Sequence, residues 1–170
     1  MGGYTHILST FFMKIGHHIT LGYSIVLLAT LAVRPSFANV VLWRLVYRDG
    51  DTYHVDAVWV FPGREPQLYS GSAVAAFSEL DALALVPEGT TQADDIKRFR
   101  IFSQGYLFQS PTDPAIIGDL RYALLPHSTK PLWGIRVDTV SPEEHVVMEM
   151  FRDPSGSNFD ELWMMIRGQN

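Results

Sequence analysis

Between Lys14 and Arg34 the chain carries no lysine, arginine, aspartate or glutamate. The run opens Ile15-Gly16-His17-His18 and continues to Val33, with Leu21, Ile25, Val26, Leu27, Leu28 and Leu31 supplying much of its apolar mass. Held as a helix at ~1.5 Å per residue, it covers about 28 Å, close to the ~30 Å hydrocarbon core of a bilayer. The expectation is a chain in two parts: residues 1–33 as a hydrophobic leader or single membrane span, and residues 34–170 as a soluble α+β domain.

The leader has two physical readings. As an anchor it is just long enough, with His17 and His18 near one interface. As a secretory signal it has Lys14 at the end of a weakly basic region, an apolar stretch over 21–33, and small residues at Ser36 and Ala38 for cleavage after Ala38. Phe11, Phe12 and Met13 make the region before Lys14 unusually apolar for a signal. Arg34, Arg44 and Arg48 follow the span, against Lys14 and the terminal amine before it. That bias favours an anchor with the soluble domain in the cytoplasm.

The formal net charge is -5 and no lysine–arginine run is present, which argues against a nucleic-acid footprint. With no cysteine, disulfides, thiolate nucleophiles and cysteine-ligated zinc are all excluded. Apolar residues at 47% suffice for an ordinary core.

Beyond the leader, strands and short helices alternate. Residues 40–48 and 52–61 flank Asp49-Gly50-Asp51, a strong hairpin signal. On the second of these strands Tyr53, Val55, Ala57, Trp59 and Phe61 share one face, and His54 and Asp56 take the other. The Ala-rich stretch 72–85 reads as a helix. Residues 92–103 read as a second, with Thr91 as N-cap and Asp94 and Asp95 in the first turn. Further strands are expected over 106–109, 116–124, 132–137 and 146–151, and a final helix over 158–167. The expected fold is α+β: an antiparallel sheet of about six strands with two or three packed helices, preceded by one hydrophobic membrane-type helix.

Candidate chemistry is sparse. His54 and Asp56 stand on one strand face as a possible two-ligand arm for a divalent metal, and His145 beside Glu143 and Glu144 is a possible third ligand. A catalytic zinc site combines three protein ligands with an open position, and sequence spacing alone does not supply the third. Asp119 and Arg121 share a strand face, where they either form a polar, anion-binding cluster with Arg98 and Arg44 or serve as a structural ion pair. Ser103 lacks the Gly-x-Ser-x-Gly setting of a nucleophile elbow.

Several ordered segments resemble a known family. They are 34–44 (Arg-Pro-Ser-Phe-Ala-Asn-Val-Val-Leu-Trp-Arg), 53–57, 94–99, 102–106, 117–122 and 131–135. Together these are similar to the C-terminal soluble region of bacterial membrane-bound metal-dependent hydrolases, the family with LexA-regulated inner-membrane members. The resemblance runs from about Val33 to Gly168. It implies a bacterial inner-membrane location and a hydrolase-type relationship, with divalent metal as cofactor if the chain is a genuine hydrolase. In that family the presumed metal ligands, including a Pro-Asp-x-Asp element, lie in several membrane helices ahead of this region. This chain has no Pro-Asp-x-Asp and room for one span. The expectation is therefore a membrane-anchored accessory domain, catalytically incomplete alone and served by a separate membrane half or partner subunit. The alternatives are a metal-dependent hydrolase with an unrecognised site, or an exported binding module released after Ala38.

Overall fold

The computed structural model describes residues 32–36, 39–151 and 156–169. Most of the apolar leader lies outside these residues, as do His17, His18 and Ala38. Among the described residues no helix is long and apolar enough to cross a membrane. The two last residues of the apolar run, Ala32 and Val33, belong to a strand and to the folded domain.

Nine strands and three helices are described. The strands are β1 (Ala32–Pro35), β2 (Leu42–Asp49), β3 (Thr52–Trp59), β4 (Gln67–Tyr69), β5 (Ala73–Ala75), β6 (Leu107–Gln109), β7 (Ile116–Asp119), β8 (Trp133–Arg136) and β9 (Val147–Met150). The helices are α1 (Glu79–Leu85), α2 (Thr91–Phe102) and α3 (Ser157–Ile166). The α+β class with antiparallel pairing holds, but the strands form two sheets rather than the single sheet of about six expected. One has the order β1-β2-β3-β4 with β5 also on β3; the other is β6-β7-β8-β9.

The β2–β3 hairpin forms where Asp-Gly predicts it, with Asp49 opposite Thr52 and Gly50 at a positive φ of 55°. Such a φ suits glycine because it has no Cβ to clash. Register then decides which residues of β2 face the core. Leu42, Arg44 and Val46 stand opposite Trp59, Ala57 and Val55 on one face. Trp43, Leu45 and Tyr47 take the other face, with Val58, Asp56 and His54.

The Leu42–Val46 face meets two neighbours. Towards one end Val46, Tyr53 and Val55 pack with Phe108 and Leu120. Towards the other, Leu42, Ala57 and Trp59 pack with Leu162 and Met165 of α3. Trp59 Nε1 donates to the Ile166 carbonyl at 2.8 Å and ties the helix end to the sheet. The second sheet turns Leu107, Ile117 and Ile135 towards Ala93, Ile96 and Phe99 of α2.

The expected helix over 72–85 is divided. Ala73–Ala75 pairs with Thr52–His54, and the helix begins only after Ser78, whose hydroxyl and backbone amide exchange hydrogen bonds with Asp81 in a capping box. Pairing with an open edge overrides the helical propensity of the alanines here. The second helix is capped by Thr90, one residue before the expected Thr91. The strand expected over 116–124 ends at Asp119, because Arg121 turns back onto it.

Candidate functional site

Residues 119–132 run from the end of β7 to β8 and carry a cluster of buried polar bonds. Asp119 is fully buried and Arg121 is 5% exposed. Arg121 Nη2 donates to Asp119 Oδ2 at 2.7 Å, its Nε donates to Oδ1 at 3.0 Å, and its backbone amide donates to Oδ1 at 3.0 Å. Trp133 Nε1 adds a fourth donor at 3.2 Å. The Asp119 hydrogen bond raises the Arg121 pKa above its ordinary value, against an opposing effect of burial. The guanidinium lies 5.3 Å from the ring centres of both Phe102 and Tyr122, a cation–π arrangement.

Arg44 enters the same region from the first sheet. Its Nε and Nη2 both donate to the Leu120 carbonyl, at 3.1 and 2.8 Å. Its Nη1 donates to the carbonyls of Pro126 and Ser128, each at 2.8 Å. Burial lowers the Arg44 pKa to about 9, with the Asp119 charge opposing the shift. The side chain therefore stays charged at neutral pH. Arg44, Asp119 and Arg121 do come together, as a structural clamp on the connection. Arg98 does not join them: it is exposed on α2 and pairs with Asp95 at 2.9 Å.

The candidate metal ligands are dispersed. His54 stacks on Tyr47 with ring centres 5.2 Å apart. Asp56 accepts from the Tyr47 hydroxyl and from the Gly71 amide, both at 2.9 Å. Burial, reinforced by the Asp56 carboxylate, holds the Tyr47 phenol well above its ordinary pKa. His145 is instead committed to α2, where its Nδ1 lies 2.8 Å from Asp95 Oδ2. Among the described residues no group of three histidines or carboxylates is placed to hold a metal ion.

A half-open cavity of about 650 Å³ lies beside the 119–132 connection. Ile116, Leu124, Leu125, Pro131, Leu132 and Phe151 give it apolar walls. Ser110, Thr112, Ser128, Thr129, Lys130 and Asn158 supply the polar groups, and among the described residues no carboxylate lines it. None of these was among the sequence candidates. The available signal was weak: a polar tetrad, His127-Ser128-Thr129-Lys130, set between two leucines and Pro131-Leu132. Which of those polar groups shares a hollow with Phe151 is settled only when β7, β8 and α3 are in place.

The loop that forms one wall is held from behind at two points. Arg44 holds the Pro126 and Ser128 carbonyls, and His127 Nε2 reaches Glu161 of α3 at 3.3 Å. Gly71 lets this loop approach the first sheet: a Cβ there would lie 2.0 Å from the His127 carbonyl oxygen and 2.1 Å from that of Val55.

No family model matches the chain, and no curated protein or solved structure does so either. The fold and its own side chains are therefore the basis for a class: a two-sheet α+β domain whose buried charges gather at the β7–β8 connection.

Proposed function

We propose that this chain is a membrane-anchored accessory domain, like the C-terminal region of the membrane-bound metal-dependent hydrolases it resembles, and that it is catalytically incomplete by itself. One observation carries the reading. Four of the polar residues that the sequence offers for chemistry, Asp119, Arg44, Asp56 and His145, are engaged in structural bonds. Asp119 takes four donors from Arg121 and Trp133, Arg44 holds three carbonyls, Asp56 holds Tyr47 and Gly71, and His145 holds Asp95. A buried carboxylate that accepts a bidentate arginine has little capacity left for a metal or a substrate proton.

The start of the domain supports a short tether. With Ala32 and Val33 in β1, the charge-free run left ahead of the fold is 15–31, about 26 Å as a helix and at the lower limit of a span. The domain then sits flush against the bilayer, where a separate membrane half or partner subunit would meet it. Release after Ala38 fits less well, because it would remove β1, which pairs along Trp43–Val46 of β2.

Carbonate washing of membranes containing the full chain tests the tether. The protein is expected to stay with the membrane and keep its N-terminus. A soluble product beginning at Asn39 would overturn the anchor. One tightly held zinc or manganese per chain, lost together with hydrolytic activity in His54→Ala, would favour the hydrolase reading instead.

A further inference from the structure

We infer that the cavity beside the 119–132 connection is a binding site for a small organic monocarboxylate with an apolar body. Three observations support this and none depends on the membrane tether. The first is size: about 650 Å³ falls within the roughly 300–1,000 Å³ typical of small-molecule sites. The second is the lining, in which Ile116, Leu124, Leu132 and Phe151 supply apolar surface and the 128–130 loop supplies polar groups. The third is charge. Among the described residues, Lys130 is the only charged member of the lining, in a chain of net charge -5.

The chemistry of the 128–130 loop narrows the class further. Ser128 and Thr129 precede Lys130, so hydroxyl and ammonium donors come from one short loop. The Ser128 hydroxyl accepts from the Lys130 amide at 3.1 Å, which leaves its own proton available to a ligand in the cavity it lines. One ammonium and two hydroxyls suit a single carboxylate head. A phosphate dianion would bring a second negative charge into a partly apolar setting where Lys130 is the one cation among the described residues of the lining, and that desolvation is costly. A neutral ligand of the same shape would leave Lys130 unused. The loop is also prepared in advance, since Arg44 fixes the Ser128 carbonyl and Glu161 holds His127. Such preorganisation lowers the entropy lost on binding.

Benzoate titrated into the full chain by calorimetry is the test, with benzyl alcohol and phenyl phosphate as comparison probes. Benzoate is expected to bind saturably at one site and to bind more tightly than either of the other two. Lys130→Gln should weaken benzoate about tenfold or more, the scale of one lost charge-assisted hydrogen bond, while Lys130→Arg keeps most of the affinity. Lys130 is exposed, so both variants are expected to fold, and their melting curves check this. No saturable binding of benzoate would overturn the inference. So would equal binding of benzyl alcohol, tighter binding of phenyl phosphate, or an unchanged benzoate affinity in Lys130→Gln.

Discussion

Replacing Arg44 with methionine tests the role assigned to the buried clamp. Methionine keeps an unbranched apolar stem and removes the guanidinium, so the first sheet can retain its packing. The carbonyls of Leu120, Pro126 and Ser128 then lose the donors that Arg44 supplies. Leu120 and Pro126 are almost wholly inaccessible to water, whereas Ser128 is half-buried and its carbonyl can be rehydrated. Two buried acceptors left unmatched cost about 1–3 kcal/mol each, or roughly 2–6 kcal/mol together. Part of this is returned, because the guanidinium no longer has to be stripped of water. The net loss should be about 2–4 kcal/mol, a large part of the ~5–15 kcal/mol that holds an ordinary domain together. With a urea slope of about 2 kcal/mol per M, the unfolding midpoint should fall by roughly 1–2 M. Urea titration followed by tryptophan fluorescence reads this directly. A midpoint within about 0.3 M of the parent, at unchanged slope, would refute the clamp and reduce Arg44 to a spectator in the core.

Two further perturbations probe other parts of the same architecture. Gly71→Ala sets a Cβ against two backbone carbonyls, at 2.0 and 2.1 Å, and backbone cannot yield as a flexible side chain does. A loss of about 3 kcal/mol, seen as a melting point lower by roughly 10 °C, is expected, and a shift under about 2 °C would contradict the close approach. Acid should weaken the domain through Asp95. Burial pushes its pKa up, but the His145 and Val146 hydrogen bonds and the His145 and Arg98 charges outweigh this and hold it below the ordinary value. A folded pKa below the unfolded one gives stability that is fully present above about pH 4 and is lost as pH falls through the folded value. Urea midpoints measured from about pH 6 down to about pH 2.5 should therefore fall at the acid end, and less steeply in Asp95→Asn. Equal slopes in the two proteins would show that Asp95 has no part in the acid response.

The linear sequence determined what depends on neighbours along the chain. Asp49-Gly50 placed the first hairpin, because the turn needs a residue that tolerates positive φ, and the apolar alternation of Tyr53, Val55, Ala57 and Trp59 marked the buried face of β3. The helix of Thr91–Phe102 was legible to within a residue from its threonine cap and early acids. Asp119 and Arg121 were visible as a pair because they are only two positions apart.

What depended on distant partners was decided only by the tertiary structure. Ala73–Ala75 became a strand because an open edge of β3 supplied hydrogen bonds that outweigh alanine's helical preference. The strands divided between two sheets because each hydrophobic face required its own cover, α2 for one and α3 with the β6–β7 hairpin for the other. Arg98 and Arg44 look alike in the sequence, yet one is a solvated partner of Asp95 and the other is buried against three carbonyls. The register of β2 against β3 made that difference. A shift of a single residue would have sent Arg44 to the opposite face, and the connection that carries Thr129 and Lys130 would have lost the donor that shapes it.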